Sequence, residues 1–335
     1  LPQLNAPFNA CLSKFRGSVK ISTRGQAGQA GIDVKTGPEK AERMRGKVEE
    51  LRFTKLQGAG NDFLIIPTDY IEPLEGAPAL ARVMCERKYG AGADGIVFVA
   101  PSAGAAADFS SRIFNSDGSE AEVSGNGTRC AAAFLHYTKR WSEPRVRIDT
   151  AAGIKTGELV ARSGARFDFE FDMGEPRFSS LELPMNLDRP LPKVVAYGLM
   201  LGGEIFEVTC VSMGNPHCTL FIDDLESLNL EEIGPLIEDH PVFPNRTNVE
   251  FARVISPEEI EVMFWERGVG RTLSSGTGSC GAAVAAMLNG FTARAVNVRT
   301  GGGTLRIEWR DDNHVALTGS AEVLYEGLWL RDSES

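Results

Sequence analysis

One pattern, written twice, constrains this chain more than any other feature. Residues 124–135 read SGNGTRCAAAFL, and residues 275–288 read SGTGSCGAAVAAML. In each copy a serine opens a Gly-x-Gly turn and a run of small residues follows. Ser124 and Ser275 lie 151 positions apart. A second matching pair, Gly60-Asn61 and Gly214-Asn215, lies 154 positions apart in the same order. Two matches at nearly one offset imply one structural unit used twice.

The hydrophobic pattern around both copies has the order β-β-α-β-β-α-β. LRFTKLQGAGNDFLIIP and EIFEVTCVSMGNPHCTLFID each read as two strands around a turn, and FDFEFDMG alternates as a strand with one wet face. ALARVMCERKYGAGADG reads as a helix closed by glycine. Helical patterns are expected over Thr128–Arg140, LEEIGPLIEDH and Ala282–Leu288. A hairpin turning between Asp311 and His314 is expected to close the chain. The implied fold class is α+β: two pseudo-symmetric α/β halves around a central cleft. The boundaries drawn are 1–48 as a flexible basic extension, 49–172 as the N-terminal half completed by 316–335, and 173–315 as the C-terminal half.

Charge and cysteine content narrow the function classes. The net charge is −10, but residues 1–47 carry about +6 by direct count, so the remainder is near −16. Such an acidic body argues against a nucleic-acid partner. No apolar run reaches the length of a membrane span, which excludes a helical membrane protein. The basic extension lacks the apolar core of a secretory signal. The six cysteines are scattered with no CxxC, which points to free thiols in a reducing compartment. The four histidines form no HExxH or His/Cys cluster, so no metal site is expected.

The glycine loops admit two kinds of ligand. Gly276, Gly278 and Gly281 satisfy GxGxxG, but no acidic residue follows at the distance a ribose requires, and the copy at 125–130 breaks the pattern with Cys130. A turn that opens a helix also presents free N–H groups and the positive end of the helix dipole. Two such starts, one per half, suit a small anion such as a carboxylate, and the charge that develops beside it when a proton leaves carbon. Ser124 and Ser275 would then flank one substrate, the layout of a two-base proton transfer. The alternative is that both serines simply cap buried helices.

Seven ordered blocks between Leu51 and Gly327 carry a resemblance: GAGNDF, YGAGADG, FNSDGSEAE with SGNGTRC, SMGNPHC, FPNRTNVEF, WERGVG with SGTGSC, and TGSAEVLYEG. Through them the chain resembles diaminopimelate epimerase. The resemblance implies a cofactor-independent enzyme of two similar halves that interconverts LL- and meso-2,6-diaminopimelate for lysine and peptidoglycan synthesis. Matched by position, Asn61, Asn115, Asn215 and Asn248 would contact substrate through their amides. Glu266 and Arg267 would hold the amino and carboxylate groups. Gly125, Asn126, Gly276 and Thr277 would supply donors at the helix starts. His217 and Glu266 would set the protonation of residues 124 and 275 respectively. The implied partner is a small amino acid, with neither nucleic acid nor membrane, and the implied assembly is a homodimer. A cytoplasmic setting is expected. The stretch EIGPLIEDHPVFPNRTN resembles plant-type members, so a plastid stroma stands as the alternative.

One departure from the family pattern bears on the chemistry. The family motifs read Cys-Gly-Asn-Gly and Cys-Gly-Thr-Gly, and both cysteines are serine here. A thiol titrates near 8.5 and an alcohol behaves like water near 15.7, so forming the base costs ~10 kcal/mol more with serine. Helix dipoles and a neighbouring cation lower a thiol by only a few units. Cys130 and Cys280 lie too far down their helices to substitute. Three readings therefore stand. The serines are an engineered change. Or His217 or Glu266 is the base, for this substrate or another amino acid. Or the chain is a non-catalytic relative that keeps the binding cleft.

Overall fold

The computed structural model describes residues 19–21, 48–69, 74, 76–122 and 124–332. The extension expected over 1–48 lies outside the described residues, save for Val48 and a short strand β1 (Val19–Ile21), which pairs with Gly327–Trp329. Among the described residues, no helix is long and apolar enough to cross a membrane.

The first half runs β2 (Val48–Gly58), β3 (Asn61–Pro67), α1 (Ala77–Met84), β4 (Gly95–Pro101), β5 (Phe109–Asn115), β6 (Glu120–Ala121), α2 (Gly125–Tyr137), β7 (Arg145–Thr150), β8 (Gly153–Ser163) and β9 (Arg166–Asp172). After β10 (Val194–Leu201) the same order returns: β11 (Glu204–Ser212), β12 (Pro216–Phe221), α3 (Leu230–Glu238), β13 (Asn248–Ser256), β14 (Glu259–Glu266), β15 (Gly270–Thr272), α4 (Gly276–Leu288), β16 (Ala295–Thr300), β17 (Gly303–Trp309) and β18 (Val315–Asp332).

The pairings repeat along with the order. The sequential steps β3–β4, β5–β7, β12–β13 and β14–β16 are parallel, and the other strand pairs of both halves are antiparallel. In the first half β18 pairs with both β2 and β9, so the strands close around α2. At its other end β18 pairs with β17, which makes this one strand part of both halves.

In each half the strands pack around the long helix. Residues 126–136 of α2 are all buried, as are residues 278–286 of α4. A helix buried on every side has no polar face, so its sequence shows no amphipathic stripe. That is why the sequence pattern placed these helices late. They begin at Gly125 and Gly276, not at Thr128 and Ala282, because their first turns are glycine and small polar residues that carry no hydrophobic period. Small side chains on the helix also let the strands wrap close around it. On the strand side, Phe167, Phe169 and Phe171 of β9 alternate inward onto α2.

The helix read from ALARVMCERKYG is not closed by glycine. α1 ends at Met84 with Cys85 as its cap in a right-handed conformation. Gly90 serves a different purpose: a Cβ there would lie 2.4 Å from the Val83 carbonyl oxygen. The chain passes under the helix end where no side chain fits. Among the strands that the sequence pattern left unmarked are Arg145–Thr150, Gly153–Ser163, Val194–Leu201 and Ala295–Thr300.

Candidate active site at two paired helix starts

Ser124 and Ser275 cap their helices with nearly the same backbone, at φ −131°, ψ 119° and φ −132°, ψ 128°. Each Oγ accepts from the N–H three residues on, Gly127 at 3.1 Å and Gly278 at 3.3 Å. Each serine carbonyl also accepts from the hydroxyl four residues on, Thr128 at 2.8 Å and Ser279 at 2.6 Å. The capping hydroxyl satisfies one free donor per helix and leaves the first N–H groups facing outward. Both helix starts lie against β18: Arg129 would meet a Cβ on Gly319, and Leu317 lies 3.6 Å from one on Gly276.

The two starts differ in their acid–base partners. Ser275 Oγ donates to Glu266 Oε2 at 3.0 Å. Ser124 Oγ has no such carboxylate among the described residues. His217 sits in the second half, with its ring seated on Gly281 of α4. Its Nδ1 meets Glu250 Oε1 at 2.6 Å and its Nε2 meets Asn215 Oδ1 at 3.0 Å, so neither nitrogen has Ser124 as its partner. Asn215 in turn donates to Thr277 Oγ1 at 3.4 Å. The group Ser275, Glu266, Thr277, Asn215 and His217 is thus gathered at one helix start.

A cavity of about 270 Å³ opens between the halves. Ala59, Gly60, Asn61 and Asp94 line it from one side, and Glu266, Thr272, Leu273 and Ser274 from the other. Its two carboxylates suit an ammonium group. Asn61 Nδ2 donates to Asp94 Oδ2 at 2.5 Å, which leaves its Oδ1 as a free acceptor. The neighbouring Asp62 is braced by Lys55 at 2.8 Å and Arg87 at 2.9 Å. Burial alone would raise the Asp62 carboxyl, but hydrogen bonds from Arg87 and Lys55 and their charges outweigh it and bring it down to about 2.

The other expected contacts are occupied within the protein. Asn248 donates to the Pro216 carbonyl at 2.9 Å and accepts from the Arg267 N–H at 3.0 Å, tying β13 to the first residue of β12 and to the turn after β14. The Arg267 guanidinium donates to the Asn245 carbonyl at 3.2 Å. Asn126 is buried and accepts from Arg129. Asn115 is exposed and donates to Ser119 Oγ at 2.9 Å within a turn, and among the described residues no hydrogen bond joins it to the cluster at Ser275. Gly125 and Gly276 are the first residues of their helices.

Cys130 and Cys280 are fully buried on those helices. Burial pushes the Cys130 thiol up to about 12, against a smaller opposing effect of Arg129, and burial likewise raises Cys280 far above the usual range. Neither thiol is a base at neutral pH.

Glu250, Asp94 and Arg129 are site residues that the sequence patterns did not single out. Glu250 had a signal. It lies two positions after Asn248 in a strand, hence on the same face, and it is a carboxylate there. Arg129 also had one, as the lone charge in a helix of small residues.

The diaminopimelate epimerase family model matches residues 53–179 and 209–324. Diaminopimelate epimerase from Pelotomaculum thermopropionicum is 46% identical over 279 residues, which cover 83% of this chain and 98% of the relative. The enzyme of that name from Synechocystis is 44% identical over 278 residues, covering 83% and 98%. Among solved structures, a phenazine biosynthesis protein from Bacillus anthracis aligns with a TM-score of 0.57 at 14% identity, over 84% of this chain and 99% of that one. A hydroxyproline epimerase from Agrobacterium vitis aligns with a TM-score of 0.57 at 14% identity, over 85% and 94%. At such identities these structures speak to the fold alone.

Proposed function

This chain belongs to the diaminopimelate epimerase family and is an isomerase of that type; from that premise we propose that it moves a proton at the α-carbon of an amino acid held between the two helix starts, interconverting LL- and meso-2,6-diaminopimelate without a cofactor. The observation that carries this reading is the matched pair of capped helix starts, one per half, with Glu266 bonded to Ser275 Oγ at 3.0 Å.

The free N–H groups of both helix starts receive the substrate carboxylate and the enolate charge that grows beside it. The acidic cavity of Asn61, Asp94 and Glu266 receives an ammonium group. Glu266 is the base: as Ser275 Oγ takes the α-proton, its own hydroxyl proton passes to Glu266 Oε2, so no free alkoxide forms. At the other start Ser124 Oγ gives its hydroxyl proton to the opposite face of the carbon as it takes one from a solvent water, and the hydroxide left is neutralised by the proton that Glu266 then releases. The relay replaces a thiolate with a hydrogen-bonded hydroxyl, so the serine form is slow.

A second reading rests on the asymmetry of the site. Ser124 Oγ accepts from Gly127 N and has no acid or base beside it among the described residues. With one side of the proton transfer unsupported, the chain would bind diaminopimelate without turning it over. Cytoplasmic location, assembly as a homodimer and origin of the two halves by duplication belong to the same proposal.

Uptake of solvent deuterium at the α-carbon, followed beside calorimetric binding, separates the two. The epimerase reading expects slow exchange in the native protein, its loss in Glu266→Gln, and a rise of at least about a hundredfold when both Ser124 and Ser275 are changed to Cys. Binding without exchange, with exchange appearing only in the double cysteine variant, would establish the binding relative. No binding at all would defeat both.

A further inference from the structure

The buried pair His217–Glu250 is the strongest feature of the site that the reaction scheme leaves unused. Both side chains are 1% exposed, and His217 Nδ1 lies 2.6 Å from Glu250 Oε1. On the far side of the ring, Nε2 lies 3.0 Å from Asn215 Oδ1. An amide oxygen only accepts, so Nε2 must carry hydrogen to make that bond. In this arrangement the amide's Nδ2 donates to Thr277 Oγ1 at 3.4 Å.

With Nε2 protonated, Nδ1 has no second hydrogen unless the ring is cationic. The short contact to Glu250 then needs one proton between the two atoms, whether the pair is written as imidazolium and carboxylate or as imidazole and carboxylic acid. An ordinary neutral imidazole beside an ionised carboxylate would instead place its hydrogen on Nδ1 and leave Nε2 bare, facing an oxygen that cannot donate.

The surroundings favour keeping that proton. Burial raises the Glu250 carboxyl above the usual carboxylate range; His217 opposes this, and the charge of Glu266 on β14 adds to it. Cys218 on β12 has its thiol raised well above its ordinary value, chiefly by burial, so it contributes no charge. From α4, Gly278 brings the first helical turn against Glu250 Oε1, which would lie 2.9 Å from a Cβ there. Glu250 Oε2 has no hydrogen-bond partner among the described residues, as suits a carboxyl that is not fully ionised.

We propose that Glu250 is the positioning residue for His217: the two share one proton across Nδ1 and Oε1, and this holds Nε2–H as a hydrogen-bond donor toward Asn215 Oδ1. His217 is then a donor at the helix start in the resting protein and not a free base, which leaves the base role to Glu266. This consequence for catalysis rests on the epimerase reading; the proton arrangement itself does not.

The test is nitrogen NMR of the full chain labelled with 15N-histidine, without substrate, with the His217 signals identified by their absence in His217→Asn. The expected spectrum shows Nε2 protonated and a strongly downfield proton at Nδ1. In Glu250→Gln the downfield proton is lost. A bare Nε2 in the native protein, or a downfield Nδ1 proton that survives in Glu250→Gln, would overturn the assignment. The native spectrum decides the position of the Nε2 hydrogen without any variant, so misfolding of Glu250→Gln does not remove the test. It also needs no turnover, so a protein that never exchanges its substrate proton can still satisfy or contradict it.

Discussion

At the scale of single residues, the site is organised by which polar groups lack a partner. Arg129 is 1% exposed, donates to Asn126 Oδ1, and has no bonded carboxylate among the described residues. Its Nε is buried without a partner. Burial lowers its guanidinium to about 10, and its near neighbours Cys130 and Cys280 are neutral thiols. An uncompensated buried charge costs several kcal/mol, more than a lost hydrogen bond. Arg129→Met, of similar length and apolar, is therefore expected to raise stability by roughly 1–3 kcal/mol in urea denaturation. A fall in stability would mean that an unseen negative group compensates the charge. Asparagine and glycine were readable in the sequence as turn-forming or donor residues. Which amide faces the cavity was not, because Asn61 and Asn115 occur in similar local sequence, yet only Asn61 lines the cavity, while bonding Asp94 from a separate strand pair.

Secondary-structure elements fix where those residues stand. Alanine is normally better than glycine inside a helix by about 1 kcal/mol. At Gly281 of α4 the sign is expected to reverse, because a Cβ would lie 2.8 Å from His217 Cβ and 2.9 Å from its Cγ. Gly281→Ala is expected to lose roughly 1–3 kcal/mol by thermal or urea denaturation and to move the His217 ring. Gly276→Ala is the control for stability, since its Cβ would meet only Leu317 Cδ1 at an ordinary 3.6 Å. Equal effects at both positions would show that the His217 seat is not tight. β9 was legible because one face is wet while Phe167, Phe169 and Phe171 are buried; β7 and β16 alternate too, but over only six residues each, and went unmarked. The first turns of α2 and α4 were not, because Gly-Asn-Gly-Thr and Gly-Thr-Gly-Ser have low helix propensity and are held helical by the serine caps and the surrounding strands.

The whole molecule is joined by β18 and by one close approach of backbone to backbone. A Cβ on Gly302 would lie 1.8 Å from the Ala59 carbonyl oxygen, and one on Gly60 would lie 2.9 Å from Gly302 Cα. The two loops that meet here come from opposite halves, and Ala59 and Gly60 line the cavity. Gly302→Ala has no flexible side chain to displace, so it is expected to push the halves apart at the cleft. Stability should fall by roughly 3 kcal/mol and diaminopimelate affinity, measured by calorimetry, should fall with it. Unaltered affinity would mean that the loops separate without disturbing the cleft.

The sequence alone determined the doubling of the unit, the α+β class, the serine-capped helix starts and the family. These depend on spacing and local backbone chemistry, which are carried within short segments. Tertiary structure decided that both helices are buried on all sides, that β18 serves both halves, that Glu266 and not His217 touches a capping hydroxyl, and that His217 is paired with Glu250. Each of these depends on residues far apart in the chain, brought within a few ångströms only when the strands close around their helices.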